Sequence, residues 1–303
     1  MEIQEVEGLQ VDYDAGGAIE TSDGAKLYYE SRGPQDAPTL VFVNNFFIIC
    51  PLWKNFTSRL AEKFRVVTYD LRNQGASSRA KEDLGIETHI SDLGELIEKL
   101  DLGQVYLVGT SVATLIARDY AVTHPEKLRG MVSVGPMFNP FGGRRRKYII
   151  KSWINAVEAG GVRSLFDVMY PLIYSDRTIE AGGSATYLAL RERFLALNSP
   201  AQAAKNLRAS LTTKDDGRKL TSITCPTLLM AGEQDFYTSG NTLHELARII
   251  PDSRAVVVPS VGHLPYFEAT EEFERLIAEF VTEIEARHAV ADEPTVVLAG
   301  ARG

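Results

Sequence analysis

The sequence predicts an α/β fold: a mostly parallel central sheet with helices on both faces and a helical block inserted late. Three observations predict it. Short apolar runs alternate with helix-period stretches up to about Val134, which calls for parallel strands joined by helical crossovers. From about Asn139 to Asp216 no convincing strand appears. Strand and helix alternation then resumes at Pro226. A helical block placed there reads as a cap over the carboxyl edge of the strands, where open α/β sheets bind ligands.

In order along the chain, residues 1–16 are polar and read as a loose leader. The core covers 17–136 and 217–287, the cap 137–216, and a mobile tail 288–303. Ile19 to Arg32 suggests two strands around Ser22-Asp23-Gly24, because Asp-Gly favours tight hairpins. Thr39–Val43 and Phe64–Tyr69 read as buried strands, with helical spacing between them from Trp53 to Lys63. Ile90, Leu93, Leu96, Ile97 and Leu100 form a helical stripe. Val105–Val108 is a strand, Val112–Val122 a helix and Gly130–Val134 another strand.

The chain of 303 residues is 45% hydrophobic and 24% charged, which suits one large core. A net charge of −8 argues against a nucleic-acid surface. No apolar run reaches the roughly 20 residues of a membrane span. The acidic start, Met1-Glu2-Ile3-Gln4-Glu5, has no apolar export core, so a cytoplasmic protein is expected. Cys50 and Cys225 are expected as unpaired thiols. No His-x-x-x-His or Cys-x-x-Cys spacing and no early Gly-rich nucleotide loop occur, so neither metal nor cofactor is expected.

The chemistry is expected at three strand ends. Gly109-Thr110-Ser111-Val112-Ala113 lies between a strand and a helix, with small residues on both sides of the serine. A sharp strand-to-helix turn of this kind lifts the hydroxyl above the sheet, and crowding there demands small neighbours. Asp235 follows the strand Thr227–Ala231, and His263 follows Val256–Val258. A serine hydroxyl needs a base, and the base needs an orienting acid. Ser111 is therefore the expected nucleophile, His263 the base and Asp235 the acid, with Glu233 its nearest rival. His89, His124, His244 and His288 read as surface or helix-end residues. The backbone amides of Val112 and Phe46 are the expected oxyanion hole. Asn44, Asn45, Phe47, Trp53 and Thr110 are the expected substrate contacts.

With these motifs in place, the sequence from Ala18 to Ala286 resembles the α/β-hydrolase family. Tyr69 to Ser77, the serine turn, Gly232–Asp235 and Gly262-His263 carry the resemblance. It implies an α/β-hydrolase fold and a working triad. Departures are present. Members usually carry His-Gly where this chain has Asn44-Asn45, Arg-Gly-His-Gly where it has Arg72-Asn73-Gln74-Gly75, and often His at Thr110. Asn45 in place of glycine is expected to crowd the oxyanion loop. Val43-Asn44, Asp235-Phe236-Tyr237-Thr238 and Leu195-Ala196-Leu197-Asn198 are also similar to one subgroup, the acyltransferases that join two 3-hydroxyacyl chains for rhamnolipids.

That similarity implies a small-molecule acyl substrate presented on coenzyme A or an acyl carrier protein. The basic run Arg144-Arg145-Arg146-Lys147 suits such an anionic donor. Three functions follow in order: an acyltransferase or thioesterase working through acyl-Ser111; an esterase or lactone hydrolase using water; and a non-catalytic ligand-binding member of the fold.

Overall fold

The computed structural model describes residues 3–14 and 16–291. Eight strands form one sheet in the order β1-β2-β4-β3-β5-β6-β7-β8. They are β1 (Gly17–Glu20), β2 (Lys26–Arg32), β3 (Thr39–Val43), β4 (Arg65–Tyr69), β5 (Val105–Thr110), β6 (Leu128–Val134), β7 (Thr227–Gly232) and β8 (Ser253–Val258). The first hairpin is antiparallel, β2 runs antiparallel to β4, and every later pairing is parallel.

The helices are α1 (Ile3–Glu7), α2 (Ile86–Lys99), α3 (Ala113–Thr123), α4 (Arg144–Ile173), α5 (Asp176–Leu197), α6 (Pro200–Leu211), α7 (Arg218–Thr221), α8 (Gly240–Ile249), α9 (Pro265–Glu268) and α10 (Thr270–Ala291). Strand β5 shows how they cover both faces. A side chain at Gly109 would meet Ala117 of α3, whereas the Tyr106 ring packs on Phe280 of α10. Positions 106 and 109 have opposite parity, so the two helices lie on opposite faces. All six residues of β5 are buried, as a parallel strand covered on both sides requires.

The cap helices are α4 to α6, and α7 packs on α3 and α8 of the core. Helix α4 kinks at Gly160-Gly161 and α5 at Gly183, where φ is 67° at Gly161 and 55° at Gly183. A buried ion pair joins the two ends of the cap. Arg146 is fully buried and meets the Asp215 carboxylate with two bonds of 2.8 Å, and it also donates to the Met137 carbonyl at 3.1 Å. Arg145 donates to the Phe236 carbonyl at 2.6 Å. Two of the four cations in the basic run thus hold the cap in place.

Three expectations need correction. The stretch Trp53–Lys63 is not an α-helix but two 3-10 turns, Cys50–Asn55 and Leu60–Glu62. Side chains there capture backbone groups: Asn55 Nδ2 donates to the Leu52 carbonyl at 2.9 Å and the Thr57 hydroxyl to the Trp53 carbonyl at 2.6 Å. Such local bonds compete with a regular helix. The leader is also not loose. It contains α1, Val6 is fully buried, and Tyr13 donates to the Asp70 carboxylate at 2.8 Å. Finally, α10 continues through residues 288–291, where a mobile tail was expected to begin; positions 292–303 lie outside the described residues. Cys50 and Cys225 are buried and unpaired, and burial pushes the Cys225 thiol up to about 11.

Candidate active site

Register brings the chemistry to one edge. Val43 pairs with Gly109, Gly109 with Ser133, and Thr110 with Val134, so β3, β5 and β6 end together. The chain then turns sharply at Ser111, whose φ is 52°. The Ser111 N–H donates to the Val134 carbonyl at 2.8 Å and pins the turn to the neighbouring strand. A Cβ at Gly109 would sit 3.0 Å from Ala117 Cβ and 3.1 Å from the Ala113 carbonyl. The small residue there is a steric requirement of the elbow.

Three loops converge on the serine. His263 Nε2 lies 2.8 Å from Ser111 Oγ, and His263 Nδ1 lies 2.7 Å from Asp235 Oδ2. All three residues are buried. The other Asp235 oxygen accepts the N–H groups of Tyr237 and Thr238, each at 2.8 Å. That fixes the carboxylate and leaves Oδ2 for the imidazole. The His263 backbone N–H donates to the Ile173 carbonyl of the cap at 2.8 Å, so His263 is held from both core and cap. Glu268 extends the link. It accepts Gly262 N–H at 2.9 Å, Ser175 N–H at 2.9 Å and the Thr178 hydroxyl at 2.7 Å. The rival Glu233 instead accepts the Ser260 N–H at 2.9 Å.

The expected oxyanion donors, Phe46 and Val112, both line the cavity that contains Ser111 and His263. Their N–H groups have no acceptor among the described residues. A helix start and a post-strand loop thus present free donors beside Ser111.

Asn45 does not simply crowd this loop. Its Oδ1 accepts the Phe47 N–H at 3.0 Å, its Nδ2 donates to the Tyr266 hydroxyl at 3.1 Å, and its carbonyl accepts Gln74 Nε2 at 2.5 Å. Gln74 stands at the histidine of the family pattern given above, and Asn73, at φ 66°, at its first glycine. Asparagine tolerates the left-handed region better than most residues. The departures therefore support one another: Asn45 braces the oxyanion loop and Gln74 braces Asn45.

The cavity measures about 130 Å³. Core loops and the cap helices α4 and α5 line it with mainly apolar side chains, among them Phe166, Met169, Leu190 and Phe194. Of the expected contacts, Asn45 and Phe47 line it. Asn44, Trp53 and Thr110 do not. Asn44 is buried behind the loop, where its Oδ1 accepts Trp53 Nε1 at 2.6 Å and its Nδ2 donates to the Ile48 carbonyl at 3.3 Å. Thr110 is buried, and its hydroxyl lies 3.5 Å from Asn45 Nδ2.

Sequence reasoning missed several contributors. Gly135, at φ 55°, lies against the His–Asp pair; a Cβ there would be 2.7 Å from His263 Cε1. His89, expected near the surface, is fully buried with its ring 6.1 Å from that of Phe46. Leu9 and Val11 of the leader line the cavity. Only the Gly135-Pro136 break after β6 was visible in the sequence as a signal. Among the described residues, no cluster of three or more His, Cys, Asp or Glu is placed to hold a metal, and no helix is long and apolar enough to cross a membrane.

Comparison with known proteins agrees with this architecture. The family model for the α/β hydrolase fold matches residues 38–153. The chain is 25% identical over 274 residues to 3-oxoadipate enol-lactonase 1 of Acinetobacter baylyi, covering 88% of this chain and 97% of that protein. It is 26% identical over 254 residues to the pimeloyl-[acyl-carrier protein] methyl ester esterase of Aeromonas hydrophila, covering 80% and 95%. The crystal structure of an α/β-hydrolase enzyme from a Medee basin deep-sea metagenome library superposes with a TM-score of 0.79 at 21% identity, covering 88% and 97%. The chain has the α/β-hydrolase fold and is an enzyme of the α/β-hydrolase type.

Proposed function

We propose that this protein is a serine hydrolase of carboxylic esters or lactones with an apolar acyl part, and that water is the acceptor. One observation carries the proposal: an imidazole in contact with both Ser111 and Asp235, on the floor of an apolar cavity. In this mechanism Ser111 Oγ attacks the carbonyl carbon while His263 Nε2 takes its proton. Asp235 stabilises the imidazolium that forms. The N–H groups of Phe46 and Val112 receive the developing oxyanion. The tetrahedral adduct collapses, His263 returns the proton to the departing alkoxide, and acyl-Ser111 remains. Water then attacks the acyl carbon and gives its proton to His263; the second tetrahedral adduct collapses, the bond to Ser111 Oγ breaks, His263 returns the proton to Oγ, and the acid leaves.

Acyl transfer to a substrate hydroxyl was the first expectation from the sequence. It uses the same residues and differs only in what reaches acyl-Ser111. The lactonase and methyl ester esterase named above support the water reading over transfer. The test is product mass after incubation with aryl esters, lactones and 3-hydroxyacyl thioesters, in H₂¹⁸O, with and without a 3-hydroxy acid as acceptor. Free acid carrying one ¹⁸O is expected from esters or lactones in every mixture. A dimeric acyl ester as the main product would overturn the water reading in favour of transfer.

A further inference from the structure

Residues 6–13 cross the seam between cap and core and complete the substrate cavity. On the cap side, α1 packs against α5, and Arg193 of α5 donates to the Glu7 carbonyl at 2.6 Å. On the core side the strap exchanges two bonds with Asn55: the Gln10 N–H donates to Asn55 Oδ1 at 2.9 Å, and Asn55 Nδ2 donates to the Gln10 carbonyl at 3.0 Å. Lys54 donates to the Asp12 carbonyl at 3.0 Å and pairs with the Asp14 carboxylate. Tyr13 closes the strap onto Asp70 at 2.8 Å.

Between these anchors the strap is neither helix nor strand and its exposure alternates. Leu9 and Val11 are half-buried, while Gln10 and Asp12 are exposed. Period-two alternation turns the odd side chains to one side. That side is the cavity, which Leu9 and Val11 line together with Ser111, His263 and Phe194. Two branched apolar side chains, held by polar bonds on both flanks, make a wall of fixed position.

We infer that this strap sets the size of the acyl group the enzyme accepts, with Leu9 and Val11 as the specificity-determining residues. The inference rests on the ester-hydrolase reading of the same site. Leu9→Ala/Val11→Ala removes five carbon atoms from the wall and lengthens the space available. Each further methylene buried there raises kcat/KM about fourfold. Leu9→Trp fills the space and has the opposite effect.

The experiment measures kcat/KM for p-nitrophenyl esters of increasing chain length with the parent enzyme and both variants. In parallel, calorimetry measures the binding of n-alkyl methyl esters to the same strap variants in a Ser111→Ala background, where no turnover is needed. The double variant is expected to move its optimum about two carbons longer. The Leu9→Trp variant should move it shorter, and the binding series should shift alongside in each case. Should the double variant not fold, Leu9→Phe, which keeps an apolar anchor, still requires the shift to shorter chains. Binding that shifts with no hydrolysis in the parent enzyme would remove the hydrolase reading but keep the wall. Profiles that superimpose on the parent in both assays would overturn the inference while leaving hydrolysis intact.

Discussion

Replacing Gly135 with alanine tests the triad without substituting any of its three members. The added Cβ would stand 2.7 Å from His263 Cε1, 2.9 Å from Nδ1 and 3.2 Å from Asp235 Oδ2. Ordinary carbon contacts begin at about 3.5 Å, so the ring must retreat by about 0.8 Å. It has little freedom to do so, because Asp235 is fixed by two backbone N–H groups and the histidine backbone is tied to the Ile173 carbonyl. A displacement near 1 Å in a catalytic group lowers the rate about 100-fold, or about 2.7 kcal/mol.

Position 135 is also left-handed, so alanine adds about 1–2 kcal/mol of backbone strain, or roughly 2–3 °C in Tm. Gly103→Ala controls for strain alone, since φ there is 63° and an added Cβ meets nothing within 4 Å. The assay is kcat/KM on p-nitrophenyl butyrate alongside thermal melts. Gly103→Ala should lose stability and keep activity. Gly135→Ala should lose about two orders of magnitude in kcat/KM while still folded. A folded Gly135→Ala enzyme with parental kcat/KM would refute the reasoning.

Other expectations concern the loop, the core and the cap. Asn45→Gly removes the bonds to Phe47 and Tyr266, so kcat should fall roughly tenfold or more with little change in KM, as for loss of part of an oxyanion donor's effect. Steady-state kinetics check this. Among the described residues His89 has no hydrogen-bond partner at either ring nitrogen, and burial, with the Arg72 charge second, holds its pKa down to about 4 from an ordinary 6.5. The unfolded chain therefore binds the extra proton first, and stability is full above pH 6.5 and lost as pH falls towards 4. The loss is about 2 kcal/mol by pH 5, and denaturant titrations should show that His89→Leu abolishes it. Asp215→Asn leaves the Arg146 charge buried without its counterion, and melts should report a loss of about 3 kcal/mol.

The parts of the site that follow from local pattern were legible in the sequence. Ser111, Asp235 and His263 each sit just past an apolar strand, and parallel register then carries them to one edge. The hairpin at Asp23-Gly24 and the stripe of α2 were legible for the same reason. What was not legible depends on partners far away in sequence. Asn45 read as an obstruction because nothing near it announces Tyr266, 221 positions later. His89 read as a surface residue because its helical position does not reveal that the loop containing Phe46 covers it. The leader read as loose because its polar residues dominate, yet Leu9 and Val11 find apolar neighbours only once α5 is folded over the core. Trp53–Lys63 carried helical spacing, but Asn55 and Thr57 bond locally to the carbonyls that a helix would use.

The central claim is that His263 and Asp235 activate one hydroxyl, that of Ser111. Intact-protein and peptide mass after brief exposure to an alkyl fluorophosphonate tests it most directly. The expected result is a single adduct on Ser111 in the parent enzyme, none in Ser111→Ala, and labelling slowed by orders of magnitude in His263→Ala. An unlabelled parent enzyme, or an adduct that persists in Ser111→Ala, would contradict it.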